Sequence, residues 1–247
     1  MVIEKRISPF KIAVTAIFTA LVCIATMMIS VYVPGTKGFF NVGESMVFLS
    51  ALLFGPAVGA FAGGVGSMLA DLLLGYPIYA PATLIIKACE GAVVGTLVKR
   101  SPKFSSMYYW KYFTLILGAA AGLLLGWVGT SYYSGEVELY IGSGFLLLNI
   151  PTIFWIILSV VLFLSITALG FMTDPEFGWT VFSVIIGGFT MVLGYFIYQR
   201  FLIGPLFNIE VIAFAEIPIN IGQMIIGASI SLPIAKIVRR ALPNIMK

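Results

Sequence analysis

The sequence predicts an all-α polytopic membrane protein of about eight transmembrane helices. Of its 247 residues, 60% are hydrophobic and only 10% are charged, whereas soluble domains carry about 25% charged residues. Apolar runs of about 20 residues, long enough to cross a bilayer, recur along the whole chain. The mean hydropathy of +1.08 agrees with these runs. A membrane protein is therefore expected before any motif is considered.

Seven apolar blocks define the predicted helices. Their approximate bounds are 11–33, 45–74, 80–98, 112–133, 145–172, 177–203 and 211–238. The second block is interrupted at Phe54-Gly55-Pro56, and proline favours the first turn of a helix over its interior. We therefore divide it into a short helix over about 44–54 and another that begins near Pro56, which gives eight helices.

Basic residues predict the orientation of these helices. With eight crossings and a cytoplasmic N-terminus, the C-terminus is also cytoplasmic. In this arrangement Lys37 and Arg200 are the basic residues in the predicted outside loops, and Lys87 lies within a helix. This agrees with the excess of lysine and arginine on the inner side of membranes. The predicted outside loops are 34–43, 75–81, 132–144 and 201–210. We expect a multi-pass protein of the plasma membrane that contacts lipid directly.

Four charged residues interrupt apolar sequence between residues 40 and 100: Glu44, Asp71, Lys87 and Glu90. A charge at the centre of a membrane helix costs at least about 2.5–3.5 kcal/mol, so such residues commonly mark functional sites. Lys87 and Glu90 are three residues apart and share a helix face. Two interpretations remain open, a structural ion pair between helices or a contact of Lys87 with a polar substrate.

The last predicted helix carries Glu216, Asn220 and Gln223 at positions i, i+4 and i+7, which places them on one stripe. They are predicted either to bond neighbouring helices or to form one wall of a pocket. Tyr76, Tyr79, Tyr195 and Tyr198 lie near the outer boundary in this topology. They fit either ordinary interfacial tyrosines or aromatic groups that stack on a planar ligand.

Small residues suggest close helix contacts in two places. Ala13, Ala16 and Ala20 share a face of the first helix, and Ala16 and Ala20 form a small-xxx-small pair. This face serves either internal packing or docking of another subunit. Gly59, Gly63 and Gly66 form a similar smooth face on the third helix, where internal packing is the expected explanation.

Missing motifs narrow the function. The sequence has no GxxxxGK[ST] phosphate loop, no HExxH and no GxSxG, so we expect no nucleotide hydrolysis by this chain and no enzyme activity. Histidine is absent, which removes the commonest metal ligand. We expect no metal and no bound cofactor. The net charge of +4 reflects basic helix ends and does not indicate a nucleic-acid partner.

Several stretches together resemble one transporter family. They are Phe40-Asn41-Val42-Gly43-Glu44, Leu52-Leu53-Phe54-Gly55-Pro56, Ala70-Asp71-Leu72, Gly75-Tyr76-Pro77-Ile78-Tyr79-Ala80-Pro81, Ile86-Lys87, Glu90-Gly91, Met191-Val192-Leu193-Gly194-Tyr195-Phe196 and Glu216-Ile217-Pro218 with Asn220, Gln223 and Gly227. This combination resembles the substrate-binding S component of energy-coupling factor (ECF) transporters, most closely the riboflavin-type branch. The Ala16/Ala20 pair resembles the AxxxA feature by which S components dock on their coupling subunit.

The resemblance implies a single membrane domain over residues 1–247. A six-helix core, about 10–100 and 177–240, would be interrupted by an inserted two-helix hairpin at about 110–175. It implies substrate-binding roles for Asn41, Glu44, Asp71, Tyr76, Tyr79, Lys87, Glu90, Tyr195, Glu216, Asn220 and Gln223, and coupling-subunit docking through Ala13, Ala16 and Ala20. The implied partners are a transmembrane coupling subunit and two cytoplasmic ABC ATPases.

The leading hypothesis is therefore capture of a water-soluble vitamin from outside the cell. Riboflavin is the first candidate, and pyridoxine, a thiamine precursor, pantothenate and folate also suit a polar pocket with an aromatic rim. The alternative is a stand-alone secondary transporter driven by an ion gradient, although the sequence shows no inverted repeat. An intramembrane enzyme acting on a lipid is a third hypothesis, and it lacks the paired carboxylates or metal motif that it needs.

Overall fold

A computed structural model describes residues 8–33, 38–102, 107–132, 134–141, 144–207 and 213–242 of the chain. Its helices are α1 Pro9–Met28, α2 Glu44–Phe54, α3 Pro56–Leu74, α4 Ala80–Lys99, α5 Met107–Tyr132, α6 Thr152–Met172, α7 Pro175–Tyr198, α8 Gly204–Phe207 and α9 Ala213–Ala241. A π-helical turn, Gln199–Ile203, continues α7. The strands are β1 Ser30–Val33, β2 Gly38–Asn41, β3 Gly135–Ile141 and β4 Gly144–Ile150.

The predicted class, an all-α polytopic membrane protein, is confirmed. Seven of the described helices are long and apolar enough to cross a membrane. The remaining predicted helix, α2, has 11 residues and is about 16 Å long, roughly half the thickness of the hydrocarbon core. The orientation of the two termini stays a prediction.

The predicted break at Gly55-Pro56 is also confirmed. Gly55 has a φ of 84°, a conformation that favours glycine, and it ends α2. Pro56 occupies the first turn of α3, where its missing N–H is not needed. The sharp turn places α2 against α3.

Two predicted boundaries were wrong because short hairpins replace helix or loop. The first helix was predicted to reach residue 33 but ends at Met28, and Ser30–Val33 pair antiparallel with Gly38–Asn41. The helix predicted from residue 145 begins at Thr152, and Gly144–Ile150 pair with Gly135–Ile141. Ser30–Val33 is rich in β-branched and aromatic residues, and pairing satisfies the backbone N–H and C=O groups of both segments. Residues 34–37 of the first predicted loop lie outside the described residues.

Contacts divide the chain into two compact units, Met1–Ser101 with Thr180–Lys247, and Pro102–Trp179. In the first unit α3 packs on α4 and α1, and α2 packs on α9. The glycine face of α3 makes these contacts close: a Cβ at Gly63 would lie 2.9 Å from the Lys87 carbonyl oxygen, and one at Gly66 would lie 2.6 Å from the Thr19 carbonyl oxygen. The predicted internal packing of this face is confirmed.

The second unit is a helical hairpin of α5 and α6 with the β3–β4 hairpin between them. Glycines spaced by four on α5 let α6 approach its backbone. A Cβ at Gly118 would lie 3.0 Å from the Phe163 carbonyl oxygen, and one at Gly122 would lie 2.9 Å from the Ser159 carbonyl oxygen. This is the small-residue packing common between membrane helices. That the hairpin is an insertion into a single domain stays a prediction.

Candidate substrate-binding site

A small cavity in the first unit gathers residues from α3, α4, α7, α9 and β2. Its water-accessible volume is about 30 Å³, room for about two water molecules. Carboxylates, amides and hydroxyls share its wall with aromatic rings. The lining residues are Gly38, Phe39, Asn41, Asp71, Tyr79, Thr83, Lys87, Tyr195, Glu216, Asn220 and Gln223.

Lys87 is the centre of a buried ion-pair cluster beside this cavity. Its Nζ donates to Glu44 and, at 3.1 Å, to Glu90 Oε2. The same nitrogen lies 2.7 Å from Met191 Sδ. An ammonium has three N–H donors, so these neighbours occupy all of them. The side chains of both glutamates have no exposed surface. The geometry is that of the structural ion pair, and substrate contact by Lys87 stays a prediction.

Local packing explains why Glu44 reaches Lys87. Glu44 is the first residue of α2, a position where the helix dipole favours a carboxylate. The chain arrives there from β2, so α2 begins beside the eighth residue of α4. On the other side, Gly227 brings α9 against Glu44, because a Cβ at Gly227 would lie 2.7 Å from Glu44 Cγ. Glycine at this position therefore makes room for the cluster.

Asp71 contributes a second, separate carboxylate to the wall. It lies near the end of α3, which Gly75 closes with a φ of 84°. Asp71 is 4% exposed and interacts with the Thr83 hydroxyl, which lies 3.0 Å from the Tyr195 hydroxyl. Its Oδ2 has no hydrogen-bond partner among the described residues. Asp71 thus lines the cavity with one carboxylate oxygen that makes no hydrogen bond to the described residues.

A chain of amides forms another part of the wall. The Asn41 backbone N–H donates to Gln223 Oε1 at 3.0 Å, and Gln223 Nε2 donates to Asn220 Oδ1 at 2.7 Å. Asn220 is fully buried, and its Nδ2 has no acceptor among the described residues. The chain fixes the Asn220 amide so that its oxygen is satisfied and its N–H₂ group remains as a donor.

Tyr79 and its neighbours form the aromatic side. Gln199 Nε2 donates to the Tyr79 hydroxyl at 3.2 Å, and the Tyr198 ring meets Tyr79 edge-on at 6.0 Å. Gln199 is directed inward at the start of the π-helical turn, a local distortion that often accompanies functional sites. Burial, and then the charge of Glu216, raises the pKa of the Tyr79 phenol, so Tyr79 stays protonated at neutral pH.

Eight of the predicted binding residues line the cavity: Asn41, Asp71, Tyr79, Lys87, Tyr195, Glu216, Asn220 and Gln223. Glu44 and Glu90 lie behind the wall, where they hold Lys87. Tyr76 also lies outside the wall, and its ring packs on Phe39 at 4.7 Å. The structure therefore brings together most, but not all, of the predicted set.

Sequence reasoning missed Gly38, Phe39, Thr83 and Gln199. Thr83 carried a signal, because it lies four residues before Lys87 and thus on the same helix face. The position of Phe39 depends on the β1–β2 pairing, and that of Gln199 depends on the π-helical turn. Apolar periodicity predicts neither feature. Among the described residues, no group of three or more histidine, cysteine or acidic side chains is arranged to hold a metal ion.

The wall suits a polar organic molecule with a planar ring. It offers carboxylate oxygens, an amide donor and hydroxyls beside aromatic surfaces, the mixture of a few placed polar groups and apolar area that is typical of small-molecule sites.

Comparison with known proteins identifies the family of the chain. Residues 6–167 match the sequence profile of the family described as "ECF-type riboflavin transporter, S component". An "uncharacterized protein in gap 3'region" of Pyrococcus woesei is 41% identical over 114 residues, which cover 45% of this chain and 71% of that protein. The matched profile spans more than half of the chain and includes Glu44, Asp71, Lys87 and Glu90. The chain belongs to the family of ECF-type riboflavin transporter S components.

Proposed function

We propose that this membrane protein is the substrate-specific subunit of an ECF-type importer and binds a water-soluble vitamin or a related small molecule in the cavity between α3, α4, α7, α9 and β2. Riboflavin is the first candidate, and pyridoxine, a thiamine precursor, pantothenate and folate are the others. The observation that carries the proposal is the joining, in one cavity, of polar residues from distant motif stretches, Asp71 and Lys87 with Glu216, Asn220 and Gln223.

Binding a vitamin in this cavity requires its wall to move. Pockets for small molecules have volumes of about 300–1,000 Å³, far above the 30 Å³ observed here. Gly38 and Phe39 belong to the two-stranded β1–β2 hairpin, and two isolated strands are held less firmly than packed helices. We expect this part of the wall to give way when ligand enters.

Import requires partners that this chain does not contain. S components work with a transmembrane coupling subunit and ATPases, and the sequence has no phosphate loop of its own. Ala13, Ala16 and Ala20 are exposed on α1, whereas Val14, Thr19 and Val22 face the interior. An exposed small-residue face lets another helix approach closely, which supports docking of the coupling subunit there.

The direct test is ligand identification followed by binding. The full-length protein is purified in mild detergent, co-purifying small molecules are identified by mass spectrometry, and a vitamin panel is titrated by calorimetry. We expect one compound to bind at nanomolar to low micromolar affinity and Asn220→Ala to weaken it. Ser229→Ala, an exposed position on the same helix as Asn220, is the matched control. Binding of no member of the panel would contradict the proposal.

The stand-alone secondary transporter remains the alternative, because buried charges such as Asp71 and Lys87 also occur on ion pathways. Reconstitution in liposomes separates the two. Uptake of the identified ligand driven by an ion gradient, with no ATPase present, would favour the alternative. Uptake that requires coupling subunit, ATPases and ATP would favour the importer.

A further inference from the structure

Among the described residues around the cavity, carboxylates outnumber basic side chains. Four carboxylates belong to its wall or to the cluster directly behind it: Glu44, Asp71, Glu90 and Glu216. Lys87 is the cation among the described residues of this group, and its ammonium is already engaged by Glu44 and Glu90. With these described groups ionised, carboxylates outnumber the one ammonium among them, and Asp71 and Glu216 line the cavity outside the Lys87 ion pairs.

Two buried polar atoms indicate that the site is shaped for a ligand. Asp71 and Asn220 both line the cavity, and Asp71 Oδ2 and Asn220 Nδ2 both lack a hydrogen-bond partner among the described residues. Asp71 is 4% exposed and Asn220 is 0% exposed. A buried polar atom left unpaired destabilises a fold, so its presence at a cavity indicates a group that is satisfied when ligand binds. One atom requires a donor and the other an acceptor.

We infer that the ligand carries a cationic or hydrogen-donating group that meets Asp71 and Glu216, next to an acceptor that meets the Asn220 amide. This inference rests on the proposed function and narrows its substrate class. A protonated amine or an amino group on a nitrogen heterocycle has this donor and acceptor pattern, and a flat ring also suits the neighbouring Tyr79 and Phe39 side chains.

The same geometry selects against anionic ligands. A carboxylate or phosphate in this cavity would lie near Asp71 and Glu216 with the Lys87 ammonium already taken, and like charges brought together in a desolvated site oppose binding. A cation would instead form charge-assisted hydrogen bonds, the stronger class of such bonds. Of the candidate vitamins, pantothenate and folate are therefore disfavoured because they carry carboxylates. Rings that carry an amino group are favoured over rings that lack one.

Matched compounds test the charge preference directly. Pyridoxamine, pyridoxine and 4-pyridoxic acid share one ring and differ in an aminomethyl, hydroxymethyl or carboxylate group at position 4. Riboflavin and its 5'-phosphate form a second pair, and thiamine and oxythiamine a third that exchanges an amino group for an oxo group. Each is titrated into the purified full-length protein at neutral pH. In every series that binds, we expect the cationic or amino member to bind at least about 100-fold more tightly than the anionic or oxo member, and riboflavin to bind more tightly than its phosphate.

Carboxylate-to-amide variants locate the effect. Asp71→Asn and, independently, Glu216→Gln should reduce the preference for the cationic member about tenfold or more, while thermal unfolding reports that each variant is folded. Asp174→Asn, an exposed carboxylate that does not line the cavity, should leave the preference unchanged. The second variant keeps the test decisive if one of the two does not fold.

The outcomes separate the inference from the function beneath it. Equal or tighter binding of an anionic member overturns the charge inference and leaves the vitamin-binding proposal standing. A cationic preference that is unaltered in folded Asp71→Asn and Glu216→Gln also overturns it. Failure of every compound in an extended vitamin panel to bind overturns the proposed function, and the inference falls with it.

Discussion

Removal of the Lys87 ammonium tests whether the buried charges of the first unit form one coupled cluster. In Lys87→Met the side chain keeps a similar length and apolar volume but loses its charge. Glu44 and Glu90 then remain with no exposed surface and without the cation that both contact. Removing one partner of a buried ion pair costs about 3–5 kcal/mol, because it leaves an uncompensated charge in a low-dielectric site.

That cost should be visible in thermal unfolding. For a chain of this size, about 1 kcal/mol corresponds to a change in Tm of about 2–4 °C, so Lys87→Met should lower Tm by about 6–20 °C. Unfolding is followed by intrinsic fluorescence in one detergent at fixed pH and salt. Lys11→Met replaces an exposed lysine on α1 and should change the stability by less than about 0.5 kcal/mol.

A compensating variant makes the test specific to charge. Combining Lys87→Met with Glu44→Gln and Glu90→Gln removes all three charges and keeps the side-chain volumes. We expect it to recover most of the lost Tm, because a buried ion pair replaced by neutral groups of similar volume is often close to neutral in stability. The reasoning is refuted if Lys87→Met unfolds within about 2 °C of the wild type, or if the triple variant is no more stable than the single one.

Three further predictions address the amide wall and two glycines. Asn220→Ala should weaken ligand binding about tenfold or more by calorimetry, because the ligand acceptor loses its donor; unchanged affinity would remove Asn220 from the site. Gly227→Ala should lower the free energy of unfolding by about 1–3 kcal/mol, because the added Cβ would overlap with Glu44. Gly222→Ala makes only an ordinary van der Waals contact and should not lower it. Equal Tm values for the two variants would contradict the packing argument. Gly75→Ala should cost about 1–2 kcal/mol from its φ of 84° alone, because no atom lies within 4 Å of the added Cβ; a variant as stable as wild type in thermal unfolding would refute this.

Local periodicity predicted the part of the site that lies within single helices. Glu216, Asn220 and Gln223 were predicted to share a stripe from their spacing, and all three line the cavity. The rule works there because a helix fixes which residues share a face, whatever it packs against. The same rule applied to Lys87 would have added Thr83. The existence of the long helices was predictable for a different reason, because an apolar run of sufficient length forms a helix in a membrane.

Contacts between distant segments were not predictable in the same way. Glu44 meets Lys87 across 43 positions, and nothing in either helix specifies the pairing. It depends on where α2 begins, which the β1–β2 hairpin determines, and the apolar pattern predicted helix and loop in place of that hairpin. Gln199 depends on a π-helical turn in the same manner. The irregular backbone segments thus decide which polar groups meet. The periodicity of a helix carries no information about where such segments lie.

The structure divides the buried polar residues of the first unit into two groups with different expected roles. Lys87 is shared by Glu44 and Glu90, so each side chain of this cluster has a charged partner within the protein. Glu44 Oε1 and Glu90 Oε1 make no further hydrogen bond among the described residues, but neither glutamate lines the cavity. Asp71 and Asn220 line the cavity, and each has one polar side-chain atom without a hydrogen-bond partner among the described residues. Substitutions in the first group should therefore act mainly on stability, and substitutions at Asp71 or Asn220 mainly on ligand affinity. Because the two effects are measured by different experiments, Tm and binding titrations on the same variants will show whether one residue serves both purposes.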